Sequence, residues 1–509
     1  MRPLCAAPPN LRNETTMKKI MILFVALATA WCVSCSKDDD GVRTPEDPTE
    51  EVDKPGEDPD EPDNPDDPGD KPGDPGEEAG IIMTTQGQKI TLEFRFSAIS
   101  KITIDWGDGT VKEYESEYAE HEYSQAALHT IKVSRCTALT RLYFTRTQLS
   151  SLNVSGYPVL REIQCDENQL TSLDISGCTD LLYLNCNSNQ LTSLDVSGCK
   201  ALTKLWCSTN QLTSLDVSGC PDLQSLYCSS NRLPSLDVSG CTALTRLECS
   251  GNRLSSLDVS RCTNFMGFWC DKNQLTSLDI SGCRNLLWFS CSDNWLSSLN
   301  ISGCTKLREF RCKNNQLPSL DVSERADLDW LECSGNQLLS LDVSECTALT
   351  VLDCSDNQLP SLDISERANL DWLECSGNRL SSLDISGCTH LKVFSCSGNQ
   401  LLSLDVSECT ALTKLDCSDN QLVSLDVSRC SNLWEFHCND NRLTSLDVSG
   451  CSDLDWLSCS SNQLSASALN QIYTDLPRTG GNITAISNPG YPESDRSIAI
   501  GKGWIFREE

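Results

Sequence analysis

Cysteine is unusually frequent in this 509-residue chain, with 31 copies. From Cys165 to Cys459 the cysteines are mostly separated by alternating steps of 13 and 8 residues. These steps match neither the C-x-x-C pairs of zinc sites nor a known disulfide framework. Cysteines stacked in register would also have parallel Cα–Cβ directions, which suit a disulfide poorly. We therefore predict buried thiols that pack as small hydrophobic groups and bind no metal.

The chain has only four histidines, namely His121, His129, His390 and His437. None lies in a nucleophile elbow, a zinc-binding helix or a phosphate-binding loop. The 72 Asp and Glu residues are numerous, but periodic placement explains most of them. The sequence therefore predicts no catalytic site, no cofactor and no enzymatic activity.

The formal net charge of −32 argues against nucleic-acid binding, which needs a basic face. One column of aspartates recurs every 21 residues from Asp174 to Asp447, with Asn at 153 and 300. Carboxylates in register repel one another, so they either bind cations or accept hydrogen bonds from nearby serines and backbone groups. Both options stay open at this point, although the GGxGxD spacing of calcium-binding solenoids is absent.

These residues are positioned by a 21-residue unit, LxxLxCxxNxLxSLDVSGCxx, which begins at Leu139 and occurs sixteen times. Asn168 to Asn462 occupy position 9 in fifteen copies, and Thr147 occupies it in the first. A repeat of this length indicates stacked coils about 4.8 Å apart. Positions 1, 4, 6, 11, 14 and 16 would then point inward, and each Asn would bond backbone groups at a turn. LxxLxC is predicted to form one strand, and SLDVS a second narrow sheet on the opposite side.

The unit resembles the leucine-rich repeat, whose signature is LxxLxLxxNxL, with Cys here in the third apolar place. This resemblance implies a mostly β solenoid of about 16 coils over residues 134–464. It also implies that the LxxLxC strands line its concave face.

Positions 2, 3 and 5 of each unit alternate with the inward positions and vary from copy to copy, so they should face outward on the concave face. Seven of the eleven tryptophans are at these positions, whereas the SLDVS runs carry no aromatic residue. Trp, Tyr and Arg are typical of binding hot spots, so general strand preference is the weaker explanation. The candidate ligand-binding residues are Tyr183, Trp206, Tyr227, Trp269, Trp288, Arg311, Trp330, Trp372, Trp434, His437 and Trp456.

Two segments, 317–338 and 359–380, are near copies offset by 42 residues. They indicate a duplicated pair of repeats. Trp330 and Trp372 would then lie two coils, or about 10 Å, apart on the concave face. This spacing suits a repetitive or extended ligand.

Residues 1–35 have the features of a secretion signal, with Met17 as the better start and an apolar run over 20–30 after two lysines. Small residues before Cys35 resemble a bacterial lipoprotein box, and the following SKDDDG resembles the export signal of surface lipoproteins of Bacteroidota. The resemblance implies that Cys35 is lipidated. Residues 36–80 are an acidic Pro/Gly-rich segment predicted to be a disordered linker.

Residues 81–133 alternate apolar and polar residues around Trp106–Thr110 (WGDGT) and a later HEY at 121–123. They resemble a small PKD-type β-sandwich, and we expect them to cap the first coil. Residues 465–509 break the repeat, with apolar residues at helical spacing around Leu469 and Ile472. They are predicted to form a C-terminal cap.

Together these features predict a lipid-anchored protein exposed on the outer membrane, touching the membrane only through its anchor. Its architecture resembles that of internalins, which implies adhesion to, or recognition of, another protein, of which a host protein is one option. The alternative is a glycan-binding lipoprotein, because tryptophans also stack on sugars of polysaccharides.

Overall fold

The computed structural model describes residues 80–98, 101–136 and 138–507. Cys35, the predicted signal peptide and the acidic linker lie outside this part of the chain. Among the described residues, no helix combines the length and apolar character that a membrane crossing requires.

Residues 81–134 form six antiparallel strands that are shared between two sheets. They are β1 (Ile81–Thr85), β2 (Lys89–Phe96), β3 (Ile102–Asp105), β4 (Val111–Tyr114), β5 (Tyr118–Glu122) and β6 (His129–Ser134). Their alternating pattern places one face of each sheet inward, around the fully buried Trp106. The Tyr123 hydroxyl donates to the Trp106 carbonyl at 2.8 Å and ties the HEY segment to the WGDGT turn.

Two of these strands pair with strands of the first coil of the repeats. β1 pairs antiparallel with β8 (Leu149–Asn153), the SLDVS-type run of that coil. β2 pairs antiparallel with β7 (Leu139–Tyr143), its LxxLxC-type strand. Both extended runs of the first coil therefore have a hydrogen-bonded neighbour on the N-terminal side, and no sheet edge is left open there.

The repeats form a solenoid of about 17 turns. Each later copy adds one short parallel strand, and each strand pairs in register with the strands of the coils before and after it. These strands are β9 (Glu162–Gln164), β11 (Tyr183–Asn185), β12 (Lys204–Trp206), β13 (Ser225–Tyr227), β14 (Arg246–Glu248), β15 (Gly267–Trp269), β16 (Trp288–Ser290), β17 (Glu309–Arg311), β18 (Trp330–Glu332), β19 (Val351–Asp353), β20 (Trp372–Glu374), β21 (Val393–Ser395), β22 (Lys414–Asp416), β23 (Glu435–His437) and β24 (Trp456–Ser458).

The inward positions of the unit are buried, as the periodicity predicted. In the coil that starts at Leu328, for example, Leu328, Leu331, Cys333 and Leu338 are all fully buried. Burying one such leucine contributes roughly 2 kcal/mol. Because every coil repeats the same pattern, the core is one continuous column.

The Asn ladder is also confirmed. Asn189 lies inside the turn, where its Nδ2 donates to the carbonyls of Cys186 in its own coil, at 3.1 Å, and of Cys165 in the preceding coil, at 3.0 Å. Its Oδ1 accepts from the Leu170 N–H at 2.9 Å. One side chain therefore satisfies backbone groups of two successive coils.

The prediction of a second narrow sheet along the SLDVS runs was largely wrong. Only β8 and β10 (Ser172–Asp174) pair as strands, and later coils show isolated bridges such as Asp279–Asn300. The aspartate of each run accepts a local backbone hydrogen bond that favours a turn. Asp195 Oδ1, for instance, accepts from the backbone N–H of Ser197 at 2.9 Å. Asp174 makes the same bond at the end of β10, so the bond ends the extended run at the aspartate but does not by itself prevent strand pairing.

After the last copy the chain forms α1 (Ala466–Asp475), β25 (Gly481–Thr484), a 3₁₀ turn (Tyr491–Glu493), α2 (Ser497–Ile500) and β26 (Trp504–Phe506). Ser465 caps α1, which buries Leu469, Ile472 and Tyr473. β25 pairs parallel with β24, and Asn488 takes the ladder position by accepting from Leu464 N–H at 3.2 Å. The solenoid therefore continues for one coil beyond the sixteen expected from the sequence.

Candidate binding face

The outward residues of the parallel strands form two adjacent columns, one at position 3 of the unit and one at position 5. The register pairs Trp330 with Val351 and Val351 with Trp372 in the first column, and Glu332 with Asp353 and Asp353 with Glu374 in the second. We call these two columns the concave face. Ten of the eleven candidate residues lie in them, and each is partly exposed to solvent. The exception is Trp434, which precedes β23 and is 44% exposed.

Three of the candidate aromatic residues form a stack at the N-terminal end of the concave face. Trp206 lies parallel to Tyr227 with ring centroids 5.3 Å apart, and Tyr183 meets Trp206 edge-on at 5.1 Å. The Lys204 ammonium lies 6.0 Å from the Tyr183 ring. The indole Nε1 of Trp206 is buried without a hydrogen-bond partner among the described residues. All three rings remain partly exposed to solvent.

Trp269 lies flat across its own strand, over Gly267. A Cβ at position 267 would come within 2.4 Å of Trp269 Cη2, so any other residue there would displace the ring from this orientation. Trp288 follows in the neighbouring strand, paired in register with Gly267. The lack of a side chain at Gly267 thus allows the Trp269 indole to lie flat on the strand.

Arg311 and Trp330 form a cation–π pair in the middle of the face. The Arg311 guanidinium carbon lies 5.1 Å from the Trp330 ring centroid, and its Nη2 lies 2.9 Å from Glu309 Oε1. Trp330 Nε1 donates to Glu332 Oε1 at 3.0 Å, and Glu332 lies 3.9 Å from the guanidinium. The arginine is therefore held between an indole and two carboxylates.

Acidic residues continue this group toward the C terminus. Asp353 is buried, ion-paired with Lys313 at 2.9 Å and hydrogen-bonded by the Ser334 hydroxyl at 2.9 Å. Burial raises the pKa of the neighbouring Glu374, and the charge of Asp353 raises it further. The middle of the concave face is therefore rich in carboxylates as well as tryptophans.

The C-terminal part of the concave face combines His437 and Trp456, with ring centroids 6.5 Å apart. The side chain of Glu435 bonds His437 Nε2 at 2.9 Å and pairs with Lys414 at 3.0 Å. The hydrogen bond from His437 lowers the pKa of Glu435 against an opposing effect of burial.

Our sequence-based selection missed the charged residues of the middle group: Lys313, Glu332, Asp353 and Glu374. A signal was present for three of them, because Glu332, Asp353 and Glu374 occupy the variable position 5 in β18, β19 and β20. Lys313 lies two residues after the end of β17, outside the positions that we considered. We selected large aromatic and arginine side chains and gave carboxylates at position 5 no weight.

The cysteines between 165 and 459 are buried free thiols, as predicted. Burial raises their pKa values, to about 12 for Cys186 and Cys228. Of the two alternatives for the aspartate column, the structure shows hydrogen bonding, because Asp216, Asp237 and Asp258 each accept from the serine N–H two residues ahead at 2.9 Å. Within the described ranges, no cluster of His, Cys, Asp or Glu is suited to hold a metal ion.

Comparisons with protein-family models and with curated proteins gave no match. Solved structures did match. The functional domain of InlJ from Listeria monocytogenes is 32% identical with a TM-score of 0.61, over 71% of this chain and 77% of that one. It is described as including a cysteine ladder.

Two further matches show the fold alone. YopM from Yersinia enterocolitica is 23% identical with a TM-score of 0.54, over 68% of this chain and 78% of that one. The ectodomain of the receptor kinase GASSHO1/SCHENGEN3 from Arabidopsis thaliana is 22% identical with a TM-score of 0.55, over 68% of this chain and 44% of that one.

The fold, the Asn ladder and these matches define a leucine-rich repeat solenoid, as the repeat unit predicted. Given its similarity to InlJ over most of both chains, the protein belongs to the leucine-rich repeat family of internalin-like architecture.

Proposed function

We propose that this protein is a lipid-anchored protein of the bacterial outer surface that binds another protein through its concave face. Leucine-rich repeat proteins such as internalins and receptor ectodomains typically mediate protein binding or recognition. The GASSHO1/SCHENGEN3 ectodomain, for example, is in complex with CASPARIAN STRIP INTEGRITY FACTOR 2. Their solenoids are non-enzymatic binding scaffolds, which supports binding instead of catalysis.

The observation that carries this proposal is the distribution of side chains on the solenoid. The inward positions are nearly invariant, whereas the two outward columns of the sheet carry six of the eleven tryptophans, three tyrosines and Arg311, all partly exposed. Aromatic and arginine side chains bury large areas on binding while few rotamers are fixed. The concave face therefore has the composition of an interface centre.

The test presents the full chain to an array of secreted and cell-surface proteins and to a glycan array. A variant with Trp288→Ala, Trp330→Ala and Trp372→Ala is compared in parallel. We expect a protein hit that the variant binds at least about a hundredfold more weakly, because a truncated hot-spot residue costs roughly 2 kcal/mol or more.

The control truncates three apolar side chains outside the strands, at Leu339, Leu402 and Val423, which are 58%, 57% and 56% exposed. This control should bind like the wild type. A protein hit that is insensitive to the tryptophan variant would contradict the proposal. A hit on the glycan array alone, abolished by the same variant, would establish the glycan alternative instead.

A further inference from the structure

The duplicated repeats contain two versions of one arrangement, and the first version is occupied by a side chain of the protein itself. There, the guanidinium of Arg311 lies over the Trp330 ring at 5.1 Å. The carboxylates of Glu309 and Glu332 lie 2.9 and 3.9 Å from its nitrogens. The protein thus shows that an indole flanked by carboxylates on this sheet accommodates an arginine.

The second version keeps the indole and one carboxylate but lacks the arginine. Trp372 and Glu374 lie in β20 at the register positions that Trp330 and Glu332 hold in β18. The residue that corresponds to Arg311, 42 positions further on, is Asp353. A cation that covered the ring in the first version has been replaced by an anion beside the ring in the second.

The electrostatics of the second version favour a positive ligand. Asp353 and Glu374 are cross-strand partners, so their like charges lie side by side. The charges of Lys313 and Lys414 act on Glu374, but Lys313 pairs with Asp353 at 2.9 Å and Lys414 pairs with Glu435 at 3.0 Å. In the described part of the chain, no basic group comes within ion-pair distance of Glu374. Partial burial of this carboxylate strengthens any charge pair that forms there.

We propose that the position over Trp372, beside Glu374, binds an arginine side chain of the protein partner. This inference rests on the proposed function and names the chemistry of one contact within it. A guanidinium fits better than an ammonium, because its plane can stack on the indole while its edge donates to a carboxylate. Arg311 makes both kinds of contact on Trp330.

The experiment uses the full chain labelled with 5-fluorotryptophan and observed by ¹⁹F NMR. The probe is N-acetyl-arginine amide, and the control probe is N-acetyl-citrulline amide, which has nearly the same shape without the charge. The Trp372 resonance is assigned by its loss in Trp372→Phe. We expect this resonance to shift saturably as the arginine probe is added. The citrulline probe should bind at least about tenfold more weakly, because it cannot make the cation–π and charge-assisted contacts.

Matched variants exchange the two versions. In the wild type we expect the Trp330 resonance not to shift with the arginine probe, because Arg311 already covers the ring. In Arg311→Asp the same resonance should shift. Asp353→Arg should abolish the response of Trp372, because the new side chain would cover the ring. Glu374→Gln preserves the side-chain volume and should lower the affinity for the arginine probe by about tenfold, because the charged acceptor is lost. The remaining tryptophan resonances report whether each variant is folded.

A Trp372 resonance that does not move, or that moves equally with both probes, would overturn the inference. So would an unaltered response in a folded Asp353→Arg or Glu374→Gln variant. These outcomes are separate from those of the array. If a protein hit depends on the tryptophans but the Trp372 resonance does not respond to the arginine probe, only the proposal of an arginine site is contradicted. An arginine response without any such protein hit removes the proposed function instead.

Discussion

At the residue scale, the position-9 asparagine holds neighbouring coils together. Asn336 is 8% exposed, and its amide nitrogen donates to the Cys312 and Cys333 carbonyls at 2.9 and 3.0 Å. Its oxygen accepts from the Leu317 N–H at 3.1 Å. Only a planar amide supplies donors and an acceptor within this space, so aspartate or leucine would leave buried backbone groups without partners.

We expect Asn336→Ala to lower the free energy of unfolding by about 3 kcal/mol, since several buried backbone groups lose their partner. Urea denaturation followed by circular dichroism measures this difference. The exposed neighbour provides the control, because Gln337→Ala should change stability by no more than about 0.5 kcal/mol. Equal stability of the two variants would show that the ladder bonds are dispensable.

The same scale marks the limit of prediction for the candidate site. Recurrence along the sequence identified the outward positions, and ten of the eleven selected residues lie on the concave face. The contacts that give each ring its environment come from other coils. Arg311 covers Trp330 from the adjacent strand, and the Trp269 ring needs Gly267. Such cross-strand and same-strand pairings depend on side-chain orientation, which a list of positions does not contain.

At the scale of elements, the repeat period predicted the stacked parallel strands and the buried columns, because burial follows directly from the spacing. Two features escaped it. Most SLDVS runs do not pair as strands, although their aspartates make the same bond to a serine N–H as Asp174 does in β10, which pairs. The last coil was hidden because α1 interrupts the period, so Asn488 follows Asn462 by 26 residues instead of 21.

The stacked cysteines form a buried column along the solenoid, and we expect the fold to protect their thiols from alkylation. Their thiols are buried, and burial raises the pKa of Cys459, for example, to about 12. Because the thiolate is the reactive form, iodoacetamide at pH 8 should label Cys165–Cys459 only when coils open. Mass spectrometry of a variant with Cys5, Cys32 and Cys35 changed to Ser follows the labelling.

The comparison is with the same variant unfolded in urea, in which the thiols should react orders of magnitude faster. An added surface thiol, Ser340→Cys, should react quickly in the folded protein and serves as the internal control. If Cys165–Cys459 of the folded protein reacted as fast as this surface thiol, the conclusion that these cysteines are buried would be wrong.

At the scale of the whole molecule, the aspartate column links stability to pH. Eleven of its members between Asp195 and Asp447 have pKa values lowered by hydrogen bonds from the serine two residues ahead. Repulsion from neighbouring aspartates opposes this effect, as Asp258 does on Asp237. A carboxylate whose folded pKa is lowered adds stability above its unfolded pKa, near 3.8, and that stability is lost as the pH falls through the folded value.

We therefore expect the melting temperature to fall steadily as the pH is lowered from about 5 to 3, a window set by the unfolded pKa of aspartate. The matched variant changes Asp237, Asp258 and Asp279 to Asn. Asn300 already occupies the next place in the column and accepts from the Ser302 N–H at 2.9 Å, so an asparagine keeps the hydrogen bond while removing the titration. This variant should melt at or slightly below the wild type at pH 7, because the lowered pKa values of these three aspartates mean that their ionised form adds stability there. It should lose less between pH 5 and 3, since it has three fewer carboxylates to protonate. A parallel decline of both proteins would show that acid acts through other groups, such as the carboxylates of the concave face.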